Sequence, residues 1–373
     1  MLRDAASRRS QPRIHVIVGT RADAIKMAPV VLAFREEGGT TVRLVATGQH
    51  RDLLPEALAN FGLVPDVDLA VMRENQQLSE VTGRILDGLD RLFERERPDA
   101  VLVHGDTTTC FASALAAFYR GIPVVHVEAG LRSHRLDSPF PEELNRQLVS
   151  RFASLHLAPD EDARRNLVAE GVPREKIVVV GSTIADALRH VLPHPGSTAG
   201  DCVLVTIHRR ENRDGRLGQV LEALRDGAVT HPEHLFVFPV HPHAGLRRAV
   251  EETLGDLPNV RLLEPLPYRE FARFLDAARA IVTDSGGVQE EAALLGKPVL
   301  VVRTASERKP TEGARLVDVE KVAFRRALER ALGGERRRRP LPRARPSEQI
   351  VRVVRAYLKS TAGRPRKKTV EAA

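Results

Sequence analysis

The sequence predicts an α/β protein made of two doubly wound, Rossmann-like domains facing across a cleft. Short β-branched runs alternate with helical patterns, and that alternation restarts after a stretch rich in breakers. At 373 residues the chain exceeds one ordinary domain, so two is the natural division. One βαβ unit is especially plain: Ala280-Ile281-Val282, then Thr283-Asp284-Ser285-Gly286-Gly287, a helix through Leu295, Gly296-Lys297-Pro298, and a second apolar run from Val299 to Val302.

In the first half, Ile14 to Val18 reads as a strand, followed by a helix from about Ala24. Further strands are Val42 to Thr47, Val101 to His104, Pro123 to Val127, Leu155 to Leu157 and Ile177 to Val180, with an apolar helix over Thr109 to Tyr119. Leu192 to Gly200, with its prolines and glycines, reads as the linker. Strands resume at Val203 to Ile207, Leu235 to Val240, Val260 to Leu263, Ala280 to Thr283 and Val299 to Val302. Arg337 to Pro346 is a charged connector, and Ser347 to Leu358 an amphipathic helix. The expected division is therefore 1–192 for the first domain, with the helix 347–360 packing back on it, 201–346 for the second, and a disordered basic tail over 361–373.

Composition excludes several functions. The net charge of +8 sits largely in Arg336 to Arg339, Arg343, Arg345, Arg364, Arg366, Lys367 and Lys368. Aromatic residues, at 4%, offer no platform for stacking bases, so nucleic acid is not expected as a partner. No apolar run approaches the roughly 20 residues of a membrane span, and the arginines near the start flank no apolar signal region. Cys110 and Cys202 lie far apart in apolar runs, which points to a reducing cytoplasm rather than a disulfide scaffold. His241-Pro242-His243 has no third ligand at metal spacing, and neither half carries a GxGxxG dinucleotide fingerprint. No metal and no cofactor are expected.

In doubly wound folds, ligands bind beyond the carboxyl ends of strands, so residues there carry weight. Ser285 can cap a helix whose free N–H groups suit a phosphate, and Gly286 and Gly287 let the backbone approach it. Glu291 lies about a turn and a half further on, in reach of a sugar hydroxyl on that phosphate. Asp106, Glu128 and Glu142 follow strands in the first half and would converge on one side of its sheet, as acid/base chemistry at carbon requires. Each has a plainer reading: Asp106 as a helix cap, Glu142 as a carboxylate favoured by a helix dipole. His208-Arg209-Arg210 directly follows a strand and suits a diphosphate leaving group.

Together these stretches resemble the non-hydrolysing bacterial UDP-N-acetylglucosamine 2-epimerases, which have the two-domain glycosyltransferase-B fold. The residues that carry the resemblance are Gly19-Thr20-Arg21 with Ala24 to Pro29, Thr47 to His50, His104 to Thr109, His126 to Arg132, Phe140 to Arg146, His208 to Asn212 and Asp284 to Glu291. The resemblance implies reversible conversion of UDP-GlcNAc to UDP-ManNAc through elimination of UDP to a glycal and re-addition, for cell-envelope polysaccharides, by a cytoplasmic homodimer. It implies Asp106, Glu128 and Glu142 as acid/base groups and His208 as the leaving-group residue. Arg21, Lys26, Phe271, Ser285, Gly286, Gly287, Glu291 and Arg308 would hold the nucleotide.

The chain departs from the family pattern at several positions. Ala22-Asp23 replaces Pro-Glu, Asn75 replaces an arginine, and Pro242-His243-Ala244 replaces Leu-Asn-Pro. By the resemblance, the last two would adjoin the second, regulatory UDP-GlcNAc site of the bacterial enzymes, to which Gln49 and His241 would belong. The 303–316 segment is also altered, around Arg308. Four other readings share this fold: a hydrolysing epimerase releasing ManNAc and UDP, an epimerase of a modified UDP-amino sugar, a glycosyltransferase, and a non-catalytic UDP-sugar-binding paralogue.

Overall fold

The computed structural model describes residues 11–192, 194, 200–207, 216–241, 243–302, 313–317, 319–334 and 340–362. In chain order the first elements are β1 (Arg13–Val18), α1 (Arg21–Glu37), β2 (Thr41–Ala46), α2 (Leu53–Ala59), β3 (Val67–Asp68), α3 (Leu78–Arg95), β4 (Ala100–His104) and α4 (Thr108–Tyr119). They continue with β5 (Val124–Val127), α5 (Glu142–Phe152), β6 (Leu155–Ala158), α6 (Glu161–Ala169), β7 (Ile177–Val179) and α7 (Ile184–Val191). The second half holds β8 (Cys202–Thr206), α8 (Leu217–Thr230), β9 (Leu235–Pro239), α9 (Ala244–Leu254), β10 (Val260–Leu263) and α10 (Tyr268–Ala277). Then come β11 (Ala278–Thr283), α11 (Gly286–Leu294), β12 (Val299–Val301), β13 (Ala314–Leu316), α12 (Lys321–Gly333) and α13 (Pro346–Thr361).

The chain divides into two compact units, residues 1–183 with 345–373, and 184–344. Among the described residues, the first holds a parallel sheet of order β3-β2-β1-β4-β5-β6-β7 and the second one of order β10-β9-β8-β11-β12-β13. Both are doubly wound orders, in which right-handed crossovers run outward from a central strand pair.

The central strands are mostly apolar and buried along nearly their whole length, as expected where helices cover both faces of a sheet. β4 is buried at every position, and the alanine-rich α4 packs on it and against its neighbours α3 and α5. α3 buries only Val81, Ile85, Leu89, Leu92 and Phe93, a stripe at helical spacing. The core of the second unit gathers around Val203, Val205, Phe236, Phe238, Val282 and Phe324.

Two features differ from the sequence expectation. α7 belongs to the second unit, not to a first domain reaching residue 192, because its buried Ile184, Leu188 and neighbours pack against α10 and α11. The short edge strands β3 and β13 were not expected. α13 packs on α1, with Arg355 Nη1 3.1 Å from Glu37 Oε2 and Gln349 Nε2 donating to the Val179 carbonyl at 3.1 Å. The linker Leu192 to Gly200, apart from Leu192, His194 and Gly200, lies outside the described residues, as does the tail beyond 362.

Candidate active site

Each sheet reverses its strand order once, between β1 and β4 in the first unit and between β8 and β11 in the second. At such a point the flanking loops diverge and leave room for a ligand. Thr20 and Arg21 follow β1, His104 ends β4 with Asp106 just beyond it, and Ser285 follows β11.

Thr20 caps α1. Its hydroxyl accepts from the Asp23 N–H at 3.3 Å, and Asp23 Oδ2 accepts in return from the N–H groups of Gly19 and Thr20 at 3.2 and 3.1 Å. Asp23 is buried and touches two residues from the end of β4: Thr107 Oγ1 donates to Oδ2 at 3.4 Å, and His104 Nδ1 lies 3.4 Å from Oδ1. The sequence expectation gave Asp23 no role. The available signal was a carboxylate three residues after a capping threonine.

Lys26, one turn into α1, forms an ion pair with Glu128 Oε2, and His104 Nε2 lies 3.8 Å from the same oxygen. Glu128 holds a φ of +59°, a left-handed conformation that L residues disfavour. Gly19 is required where it stands, since a Cβ there would overlap the hydroxyls of Thr47 and Thr109. Those hydroxyls lie 2.8 Å apart, and Gln49 Oε1 accepts from Thr109 Oγ1 at 2.8 Å.

Asp106 does not cap α4. Thr107 does so, its hydroxyl accepting from the Cys110 N–H at 3.1 Å. Asp106 instead accepts from Arg146 Nη2 at 2.5 Å, and Asn145 Nδ2 donates to the Asp106 carbonyl at 2.8 Å. Glu142 opens α5, four residues before Arg146 and so on the same helical face. Glu143 is fully buried; burial pushes its carboxyl up, but donors from Ser133, Gln147 and Arg146 outweigh that and hold it below the usual carboxylate range.

Behind these groups, His126 donates from Nε2 to the Gly105 carbonyl at 2.7 Å and so pins the residue before Asp106. Burial holds its pKa down at about 3, and that of His156, its register partner on β6, at about 4.

In the second unit, Ser285 caps α11, and its own N–H donates to Thr283 Oγ1 at 2.9 Å. The hydroxyls of Thr206 and Thr283 lie 2.6 Å apart and tie the ends of β8 and β11 together. Among the described residues, a Cβ at Gly287 would meet only the Ser285 hydroxyl, at 3.9 Å. Glu291 is buried and accepts from the Tyr268 hydroxyl at 3.0 Å. Phe271 lies half-buried one turn along α10 from Tyr268.

Within the first unit the structure thus brings Lys26, His104 and Glu128 together, and likewise Asp106, Asn145 and Arg146. In the second it gathers Ser285, Gly286 and Gly287 at one helix start. Gln49 and His241 belong to different compact units. His208 and Arg308 lie outside the described residues. Among the described residues, no group of three or more His, Cys, Asp or Glu side chains is arranged to hold a metal ion, and no helix is long and apolar enough to cross a membrane.

A family model described as UDP-N-acetylglucosamine 2-epimerase matches residues 32–355. The chain is 41% identical over 351 residues to the UDP-N-acetylglucosamine 2-epimerase of Escherichia coli K12, covering 89% of this chain and 93% of that one. It is also 41% identical over 311 residues to the enzyme of that name from Neisseria meningitidis, covering 79% and 84% respectively. A crystal structure of the Neisseria meningitidis UDP-GlcNAc 2-epimerase bound to UDP-GlcNAc superimposes with a TM-score of 0.86 at 36% identity, over 92% of this chain and 100% of that one. MurG of Acinetobacter baumannii, at 14% identity and a TM-score of 0.52 over 92% of this chain and 99% of that one, shares the fold alone.

Proposed function

The chain belongs to the UDP-N-acetylglucosamine 2-epimerase family, and on that premise we propose that it interconverts UDP-GlcNAc and UDP-ManNAc without releasing free sugar. The C2 hydrogen has no neighbouring carbonyl, so removing it alone would leave an unstabilised carbanion. The reaction becomes accessible when a base takes the C2 proton while the C1–O bond to UDP breaks, leaving a glycal with a C1=C2 double bond. UDP oxygen then re-adds at C1 as an acid delivers a proton to the other face of C2. Both directions need proton-handling groups on two faces and stabilisation of the departing diphosphate.

The observation that carries this reading is the pair of salt-bridged carboxylates at the switch point of the first unit. Asp106 is held by Arg146 and Glu128 by Lys26, while their side chains remain 26% and 11% exposed. Glu142, at the start of the helix that carries Arg146, supplies a third carboxylate. Pairing of Lys26 with Glu128 supports a role for this lysine in neutralising that carboxylate. The α11 start at Ser285, Gly286 and Gly287 suits the diphosphate, with His208 assisting its departure and Arg308 contributing to nucleotide binding.

Proton NMR of the protein with UDP-GlcNAc in D₂O tests the proposal. UDP-ManNAc with deuterium at C2 in both sugars is the expected result. Free ManNAc and UDP would instead assign a hydrolysing enzyme, and UDP binding without exchange or product would overturn the epimerase activity.

A further inference from the structure

Between the cap of α1 and Glu128 lies a buried histidine whose two ring nitrogens face two different carboxylates. His104 is 4% exposed, with Nδ1 3.4 Å from Asp23 Oδ1 and Nε2 3.8 Å from Glu128 Oε2. We propose that Asp23 and His104 form a positioning pair: Asp23 keeps the proton on Nδ1, so that Nε2 turns its lone pair toward Glu128 and shares the proton that Glu128 handles. The kinetic consequence rests on the epimerase reading of Glu128, whereas the tautomer does not.

An ionised carboxylate only accepts, so the Nδ1 contact is favourable only with the proton on Nδ1. The two oxygens of Asp23 divide the work. Oδ2 accepts from Gly19, Thr20 and Thr107, and Oδ1 is left to His104. In the neutral ring Nε2 is then a bare lone pair, buried and without a hydrogen-bond partner. A lone pair facing a carboxylate at this range repels it, and a proton between them turns repulsion into attraction. The arrangement therefore places Nε2 where it can take up a proton that Glu128 has received, beside the Lys26 ion pair on the same oxygen. When Glu128 gains the proton lost from C2, that proton can pass to Nε2, giving an imidazolium against Asp23, and return by the same path. Among the described residues, the charged and titratable groups around His104 include Asp23 and Lys26 from α1, Glu128 beyond β5, His126 within it and the Cys110 thiol of α4, which lies near Asp23. Contacts of 3.4 and 3.8 Å are loose for hydrogen bonds, and such contacts commonly shorten when substrate is bound.

Asp23→Asn is the discriminating variant. The amide oxygen can keep the α1 cap, while the amide nitrogen facing Nδ1 forces the ring proton onto Nε2. One arm reads ¹⁵N shifts of the His104 ring at pH 8, assigned by its loss in His104→Gln. Nδ1 protonated in the parent and unprotonated in Asp23→Asn is expected, and an unprotonated Nδ1 in the parent would overturn the pair. The other arm follows C2 deuteration. Asp23→Asn should lose roughly 10²-fold in kcat with KM little changed and an altered pH profile, and Asp23→Glu, which restores a carboxylate, should recover most of it. An unchanged kcat in Asp23→Asn, or a loss with an unaltered pH profile that Asp23→Glu does not recover, would reduce Asp23 to a helix cap. Failure of the parent to exchange C2 would remove the epimerase reading and the kinetic role, with the nitrogen shifts still deciding the tautomer.

Discussion

Arg146 Nη2 lies 2.5 Å from Asp106 Oδ2, while Nη1 of the same guanidinium holds the fully buried Glu143 at 3.0 Å. One planar side chain thus sets a candidate acid/base group against the interior of α5. Arg146→Ala would leave Glu143 buried without this partner, a change that costs about 3–5 kcal/mol. A drop in the urea midpoint together with loss of C2 exchange is the expected outcome. Arg146→Lys, with a point charge in place of a fork, should recover stability more fully than activity.

Asp106→Asn and Glu142→Gln keep shape while removing proton-carrying capacity. Each should retain UDP affinity, measured by calorimetry, and lower solvent exchange at C2 by roughly 10²-fold or more. Unchanged exchange in either variant would remove that residue from the chemistry.

His126 and His156 predict an acid limit on stability. Their pKa values in the folded protein, about 3 and about 4, lie below the ordinary 6.5, because burial disfavours the charged ring. The unfolded chain therefore binds their protons first as pH falls. Their contribution is fully present above about pH 6.5 and declines through the window from there toward pH 4 and 3, by up to about 1.4 kcal/mol per pH unit for each ring. Thermal melts from pH 8 to pH 4 measure it, and His156→Gln should flatten the decline.

Gly130 has a φ of +92°, and a Cβ there would overlap the Ala163 carbonyl and Leu167. Gly130→Ala is expected to destabilise by at least about 2 kcal/mol, as strain and overpacking act together. Gly62→Ala, also at positive φ but facing open space, should cost about 1–2 kcal/mol from backbone strain alone. Denaturant titrations of the two variants separate the contributions.

Most of the fold was legible in the chain because both faces of these parallel sheets are covered. Apolar runs such as Val101 to Val103 therefore mark strands directly. β3 and β13, of two and three residues, escaped because so short a strand carries too little pattern to stand out from a loop. α7 was not placed in the second unit, since nothing in its own residues says which neighbour its buried face meets. The glycines, Ser285 and the three carboxylates became candidates through their places after strands or at helix starts. Asp23, Glu143, Arg146 and Tyr268 had no assigned role, because a buried polar residue in a helix looks like a solvated one until its partner is known.

The alternation of apolar runs and breakers determines by itself that this chain builds two doubly wound sheets, and its motifs determine the family. The tertiary structure alone decides which charge meets which. Lys26 finds Glu128 across 102 residues, Arg146 finds Asp106 across 40, and His104 is set between Asp23 and Glu128. Such pairings depend on separations of a few ångströms between residues distant in sequence, and burial magnifies their strength. Local patterning carries no record of those separations; only the register of β1, β4 and β5 and the packing of α1 and α5 set them.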